Sequence, residues 1–228
     1  MIGVNIDADA MKRSASEYVT EVLRKAIITR ELAQGERLVE IDIAKKLNVS
    51  ITPVRHAFMQ LSKEGLIDIY PYKGSYVTKI TSKLVSDMSV CRTMLEPECA
   101  LYAYDNFMET DPDYLKNIIE AAARDYERTN DLYALLHNDV KLHRSIIEFS
   151  KNKVMLDMWE AINFRVLLLQ SYAKEGKEFK ISHFINNHAE IAETLAFKKG
   201  KEAFSKAVRD HMMRSRENDF QDFFGEDF

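Results

Sequence analysis

The first third of the chain carries apolar residues at helical spacing, and this spacing then gives way to strict alternation. Residues 14–30 place five apolar side chains on one face of a helix: Tyr18, Val22, Leu23, Ala26 and Ile27. Gly35 interrupts the pattern, and RLVEIDIAKKL at 37–47 predicts a second, shorter helix. We expect its inward positions to be Leu38, Ile41, Ala44 and Leu47.

A third helix is predicted after the turn NVS. Thr52 offers a side-chain cap, and Pro53 would stand at the first helical position, where its missing N–H costs nothing. The inward positions of this helix are Val54, Ala57, Phe58 and Leu61. The stretch LIDIYPYKGSYVTKI then alternates as two strands about a turn at Lys73 and Gly74. Three helices followed by a hairpin predict a winged helix-turn-helix, which we assign to residues 1–80.

From residue 81 onward the apolar positions keep a helical period, and no alternating strand pattern appears. Six helices are predicted, with breaks near Thr110–Pro112, Thr129–Asp131, Ser150–Asn152, Glu175–Lys177 and Lys199–Gly200. The expected fold of residues 81–228 is an all-α bundle. The chain as a whole is therefore predicted to be mainly α, with an N-terminal winged helix-turn-helix joined to a helical bundle.

Charge and composition separate the same two parts. Residues 1–80 hold 12 basic against 10 acidic side chains, whereas the remainder holds 20 against 26. A mildly basic front and an acidic back predict two modules with different partners. The N-terminal residues lack the apolar run of a signal peptide, and no stretch approaches the roughly 20 apolar residues of a membrane span. Cys91 and Cys99, about 12 Å apart on one helix, are expected to be reduced core thiols in a cytoplasmic protein.

Histidines are concentrated in the second part of the chain. Asp139 and His143 are four residues apart and therefore share one face of a predicted helix. His188 and His211 lie on two further helices. One carboxylate and three imidazoles suit Zn²⁺, Ni²⁺ or a similar divalent transition metal, with coordination positions left for water or a ligand. The alternative is a buried Asp–His network that holds no metal.

The first part of the chain resembles the DNA-binding domain of the GntR family of bacterial regulators. The resemblance rests on GERLVEIDIAKKLNVS, on TPVRHAF with the following EGLI, and on the wing sequence PYKGSYV. It implies that the third helix enters the major groove and that the wing approaches the minor groove of double-stranded DNA. Carried over by position, the implied DNA contacts are Ser50, Thr52, Arg55, Lys73 and Gly74.

Two positions depart from the family pattern. Ile51 stands where the family usually has Arg, and His56 replaces a usual Glu. Losing the cation at position 51 would remove one phosphate or base contact, whereas Ile could touch a thymine methyl group. We therefore expect Ile51 to alter the preferred operator sequence more than it alters DNA binding itself.

The second part resembles the FCD ligand-binding domain of one large GntR subclass. The matches are RTMLE at 92–96, DVKLH at 139–143, and the helices that carry His188 and His211. The resemblance implies that Asp139, His143, His188 and His211 hold the metal. It also implies that Arg92 faces the pocket and binds the carboxylate of a small metabolite, with Arg165 as a second candidate.

Together these features predict a ligand-responsive transcriptional regulator that binds a palindromic operator as a homodimer. One alternative is a DNA-binding dimer whose helical domain is free of metal. The other is a helical metalloenzyme, but HExxH, Glu-x-x-His and Gly-x-Ser-x-Gly motifs are absent from the sequence. The acidic, aromatic C-terminal sequence ENDFQDFFGEDF is given no role.

Overall fold

The structure is a computed structural model that describes residues 14–162 and 180–224. The chain divides into two compact units, Met1–Ile80 and Thr81–Phe228. Helices dominate the described residues, and the one sheet among them is a small antiparallel one in the first unit. The predicted fold class is therefore confirmed.

The first unit begins with helix α1, Ala15–Ile28. Ser14 caps it in a capping box, since Glu17 N–H donates to the Ser14 hydroxyl and Ser14 N–H donates to the Glu17 carboxylate. Val19, Leu23 and Ile27 are fully buried. They belong to the apolar face that packs against the third helix. The inward face is only partly the predicted one, because Val19 is buried in place of Tyr18 and Val22, which are only partly buried.

The second predicted helix is in fact a strand followed by a helix. Arg37–Leu38 form β1, and α2 spans Glu40–Leu47. Because α2 begins later than predicted, Ile41 is half exposed, and Ile43 takes its place in the core. Asn48 then ends α2 in the left-handed conformation, which asparagine tolerates better than most residues.

Helix α3 spans Ile51–Lys63, and its buried side is the predicted one. Its N-cap residue is Ser50, not Thr52, and the Ser50 side chain makes no capping hydrogen bond. Pro53 consequently occupies the third helical position instead of the first. This position is still within the first turn, where backbone N–H groups have no helical acceptor, so the proline is tolerated.

The wing is formed by β2, Ile67–Tyr70, and β3, Gly74–Val77. The sheet order is β1-β3-β2, with Tyr70 opposite Gly74 and Arg37 opposite Tyr76. Gly74 therefore opens β3, and residues 71–73 form the turn that was predicted at Lys73 and Gly74. The backbone φ of Gly74 is 108°, a value that L side chains rarely adopt.

The second unit is helical throughout its described residues. Its helices are α4 (Ser82–Thr110), α5 (Tyr114–Thr129), α6 (Leu132–Phe149), α7 (the helical residues 153–162), α8 (Ile181–Ala196) and α9 (Lys201–Phe224). The four predicted breaks that fall on described residues coincide with the ends of these helices. The predicted break at 175–177 lies outside the described residues.

An aromatic cluster forms the core of this unit. The Phe107 ring stacks on the Phe149 ring at a centroid distance of 3.9 Å and meets the edge of Phe204 at 5.9 Å. Ser205 Oγ donates a 2.7 Å hydrogen bond to the carbonyl of Pro97, which lies inside α4. These contacts fix α4, α6 and α9 relative to one another, and these helices carry most of the candidate site.

Two expectations about the whole chain have different outcomes. Cys91 and Cys99 are both free, but only Cys99 is buried, so the expectation of two core thiols is wrong for Cys91. Cys91 lies on the outer face of α4. Across residues 14–162 and 180–224, no helix combines the length and apolar character needed to cross a membrane.

Candidate functional site

Three histidines from three helices meet inside the helical unit. His143 on α6, His188 on α8 and His211 on α9 each bring one ring nitrogen to within 4.8 Å of the others. None of the three residues is more than 3 % exposed. Asp139 lies one turn before His143, is 6 % exposed, and places Oδ1 3.1 Å from His188 Nε2. The structure therefore brings together three of the four predicted metal ligands and places the fourth, Asp139, beside His188.

The Nδ1 atom of each ring is already engaged with an oxygen. His188 Nδ1 lies 2.8 Å from the carbonyl of Phe184, and His211 Nδ1 lies 3.0 Å from the carbonyl of Asn187. His143 Nδ1 lies 2.7 Å from Glu96 Oε2. Carbonyl and carboxylate oxygens only accept hydrogen bonds, so each Nδ1 carries a proton and donates it. In the neutral rings the remaining nitrogen, Nε2, then carries a lone pair that can bind a metal ion.

Electrostatics favours this neutral form for His211. Burial, followed by the neighbouring His188 and His143, holds the pKa of His211 well below its usual range. The contact between His188 Nε2 and Asp139 Oδ1 lacks hydrogen-bond geometry, although the distance is short. A neutral nitrogen lone pair and a carboxylate oxygen repel at this distance, and a cation held between them would turn the contact into an attraction.

Glu96 is a site residue that the sequence analysis missed. It is fully buried, and its Oε1 accepts hydrogen bonds from Arg92 Nε at 2.5 Å and from Trp159 Nε1 at 3.0 Å. Burial alone would raise the pKa of Glu96, but electrostatic attraction to Arg92 and His143 and the hydrogen bonds from them outweigh it and hold this pKa well below its usual range. Glu96 belongs to the RTMLE match and lies four residues after Arg92, a spacing that could have revealed it.

The remaining polar residues proposed for this unit have mixed positions. Arg92 is largely buried, and its guanidinium binds Glu96 through Nε. Arg165 lies outside the described residues. His137 contacts the Tyr133 ring at 4.6 Å, and His183 is exposed. Neither of these two histidines belongs to the three-histidine cluster.

In the first unit, the start of α3 presents the predicted contact residues to solvent. Ser50, Thr52 and Arg55 are all exposed. Arg55 Nε donates a 2.8 Å hydrogen bond to Glu40 Oε2 on α2, and two thirds of the Arg55 side chain remains accessible. The side chain of Ile51, the residue that departs from the family pattern, is 37 % exposed on the same turn. The carboxylate of Glu40 thus orients the guanidinium of Arg55 and leaves its outer edge free.

Arg37 on β1, beside the wing, is an exposed cation that the sequence analysis did not single out. Lys73 is exposed at the turn, and Tyr76 donates its hydroxyl to the Lys73 carbonyl at 3.0 Å. Arg37 on β1 lies across Gly74, because a Cβ built on that glycine would stand 3.4 Å from Arg37 Nε. In the described part of the chain Arg37 forms no ion pair. Arg37 and Gly74 are far apart in the sequence, so no local sequence pattern indicates that they are neighbours.

Two protein-family profiles match the chain. The profile of the FCD domain covers residues 87–214, and that of the bacterial regulatory proteins of the gntR family covers residues 15–77. Each match falls within one of the two compact units.

Characterised and uncharacterised relatives span most of the chain. It is 26% identical over 205 residues to the HTH-type transcriptional repressor RspR of Escherichia coli K12, covering 89% of this chain and 88% of RspR. It is 25% identical over 189 residues to the uncharacterized HTH-type transcriptional regulator YdhC of Bacillus subtilis, covering 83% and 84%. These relatives are transcriptional regulators, as the sequence analysis predicted, and not enzymes.

Solved structures share the fold. E. coli McbR/YncC superimposes with a TM-score of 0.75 at 20% identity, over 92% of this chain and 99% of that one. A GntR regulator from Rhodococcus sp. RHA1 gives a TM-score of 0.74 at 20% identity, over 91% and 98%. At this identity the likeness supports the fold alone.

Proposed function

Because the chain belongs to the gntR family of bacterial regulatory proteins and carries the FCD domain of one of its subclasses, we propose that a divalent metal and a small carboxylate control its binding to an operator. That the chain is a DNA-binding transcriptional regulator follows from the family. The proposal adds the metal, the effector class, the contact residues and the homodimer, and it assigns the protein to the cytoplasm, where its DNA target lies.

The observation that carries the metal proposal is the common orientation of the three histidines. In His143, His188 and His211 the Nδ1–H is donated to an oxygen outside the cluster, which is the usual way in which proteins prepare imidazole ligands. Asp139 adds an anionic oxygen at 3.1 Å from one of them. Two ligand atoms on one Zn²⁺ or Ni²⁺ stand roughly 2.9–3.4 Å apart when metal–ligand distances are about 2.0–2.1 Å. We propose that these four residues bind the ion.

A bound divalent ion would supply coordination positions for a carboxylate oxygen. Four protein ligands leave up to two positions when the metal is octahedral, as Ni²⁺ commonly is. Arg92 lies in the same network, because Glu96 contacts both Arg92 and His143. We propose Arg92 as the second anchor of the effector carboxylate, with Arg165 as a further candidate.

The proposed DNA contacts are the exposed residues of α3 and the wing. Ser50, Thr52 and Arg55 stand on the first turns of α3, and Lys73 and Gly74 stand at the end of the wing. Arg55 reading guanine through two hydrogen bonds would contribute about 1–3 kcal/mol of discrimination. The Arg55→Ala variant should therefore bind a selected operator about 5–150-fold more weakly, whereas Arg128→Ala, an exposed arginine on α5, should not change affinity.

An exposed apolar face on α4 and α7 supports the homodimer. Val90, Met94 and Tyr102 follow one another at intervals of four or eight residues along α4 and are 41 %, 72 % and 56 % exposed. Val154 and Met158 on α7 are 68 % and 59 % exposed. An apolar surface of this kind is typical of a protein interface. A second copy of the chain is the proposed occupant, since a two-fold symmetric operator requires a two-fold symmetric protein.

Metal content is the direct test. We would measure it by mass spectrometry on gently purified wild-type protein, on His188→Ala, and on His183→Ala as the exposed control on the same helix. The proposal requires about one ion per chain in the wild type and the control, and loss of the ion from His188→Ala. If none of the three proteins retains or takes up Zn²⁺ or Ni²⁺, the metal-free dimer becomes the correct description.

A further inference from the structure

Among the described residues of the helical unit, Glu96 is the charged side chain with the least solvent exposure, and it is bound from three helices. Its own helix, α4, provides Arg92, α7 provides the Trp159 indole N–H, and α6 provides His143. The first two donors share Oε1, and the third binds Oε2. None of the carboxylate is exposed to solvent, so these three groups donate the hydrogen bonds that water would donate to an exposed carboxylate.

This arrangement controls which nitrogen of His143 carries the proton. An ionised carboxylate can only accept, so the ring is held with Nδ1 protonated and with Nε2 available as a ligand. An amide of the same shape has one accepting oxygen and one donating NH₂. If its oxygen keeps the bonds to Arg92 and Trp159, its NH₂ faces His143 Nδ1. That contact favours the other tautomer, in which Nε2 carries the proton and no longer binds a metal.

We propose that Glu96 is the positioning residue of the three-histidine site: it holds His143 as the Nδ1–H tautomer and connects this ligand directly to α4 and α7. The affinity part of the inference rests on the metal site proposed above. The tautomer part does not, because it concerns the protein without metal. A change at His143 would therefore alter the contacts of Glu96 with α4 and α7, the two helices whose outer faces carry the exposed apolar residues.

The chain contains a single tryptophan, which makes the network observable. Trp159 is 1 % exposed, and its indole N–H donates to Glu96 at 3.0 Å. Its one indole resonance in a ¹⁵N-correlated spectrum therefore reports on the same carboxylate that binds His143. Metal bound to His143 would draw electron density from the ring, strengthen its bond to Oε2, and alter the bond between Oε1 and the indole.

The first experiment compares histidine tautomers without metal. Protein with ¹⁵N-labelled histidine is stripped of metal, and ring nitrogen shifts are recorded for the wild type, Glu96→Gln, and Glu109→Gln as the exposed control on α4. The His143→Ala spectrum assigns the signals. We expect His143 to carry its proton on Nδ1 in the wild type and the control, and to move toward the Nε2–H form in Glu96→Gln. A folded Glu96→Gln protein with an unchanged His143 tautomer would overturn the proposal.

The second experiment measures Zn²⁺ binding by calorimetry in the same proteins. Loss of an outer partner of a metal-binding histidine typically lowers affinity 10–100-fold, so we expect this loss in Glu96→Gln and none in Glu109→Gln. Equal affinities would contradict the inference. If the wild type binds neither Zn²⁺ nor Ni²⁺, the proposed metal site fails, and the tautomer comparison alone then decides the role of Glu96.

The wild-type protein provides a test that does not depend on folding of a variant. Adding Zn²⁺ should shift the Trp159 indole resonance, and it should leave the resonance unchanged in His188→Ala. If Zn²⁺ binds at about one ion per chain and the indole resonance stays in place, Glu96 does not connect the site to α7. Either result is obtained even if Glu96→Gln fails to fold.

Discussion

A buried ion pair joins α1 to Glu64, the residue that follows α3, and removing only one of its two charges should destabilise the first unit. Arg24 on α1 donates to both oxygens of Glu64, at 3.0 Å and 2.8 Å, and the two side chains are only 12% and 6% exposed. Gln60 donates a further hydrogen bond to Glu64, and Glu21 provides Arg24 with a second carboxylate. The ion pair is therefore buried and bidentate. Its two partners differ in what else they contact, because Arg24 has a second carboxylate whereas Glu64 has only an amide.

This inequality predicts which single substitution costs more. In Arg24→Met the buried Glu64 keeps only the amide of Gln60, and the cost should approach the 3–5 kcal/mol typical of an isolated buried charge. In Glu64→Leu the guanidinium keeps the carboxylate of Glu21, and we expect about 2–3 kcal/mol. The double variant removes both charges and should lie within about 1 kcal/mol of the wild type, because apolar replacement of a buried pair is often neutral.

Urea unfolding followed by circular dichroism measures these free energies as a double-mutant cycle. Arg128→Met is the matched control, since its ion pair with Asp125 is exposed and should contribute less than about 1 kcal/mol. Trp159 lies in the second unit. Unfolding followed by its fluorescence should therefore have the same urea midpoint in the variants as in the wild type. The reasoning fails if Arg24→Met costs less than about 1 kcal/mol, or if the double variant is as unstable as the two single effects combined.

Two further predictions concern the wing and the thiols. Arg37→Ala should weaken DNA binding and reduce the slope of log affinity against log salt by about 0.9 per protomer, since one phosphate contact is lost, and an unchanged slope would place Arg37 away from the DNA. Burial raises the pKa of Cys99 to about 11, so a chromogenic disulfide reagent at about pH 8 should modify Cys91 but not Cys99 in the native protein. Cys91→Ser should then show no reaction before denaturation, and reaction of that variant in the native state would contradict the structure.

Helical periodicity predicted most of the fold because the spacing of apolar residues within one amphipathic helix identifies its buried face. The inward residues of α3 are all buried, and the breaks between the described helices of the second unit fall where proline, glycine or asparagine interrupts the pattern. Strand β1 escaped prediction because it has two residues, too few for an alternating pattern, and it exists only through its pairing with β3. That pairing also explains why Ile41 was misplaced, since β1 delays the start of α2.

The candidate site was predictable to the extent that single helices determine it. Asp139 and His143 share a face by spacing, but their meeting with His188 and His211 depends on the packing of three helices. The family resemblance supplied that information. Glu96 and Arg37 were missed for a common physical reason: each matters through a neighbour far away in the sequence, so no local pattern marks it.

Pro97 divides helix α4 into two parts that differ in burial. Proline lacks a backbone N–H, so the Thr93 carbonyl receives no helical hydrogen bond from residue 97. After this point Cys99, Ala100, Ala103 and Phe107 are fully buried, whereas before it Lys83, Asp87, Val90, Cys91 and Met94 are exposed. Amide protons beyond Pro97 should therefore exchange only when the whole bundle unfolds, and those before it should exchange through local opening that ends at the proline. A single continuous helix can in this way melt at one end while its other end remains part of the core.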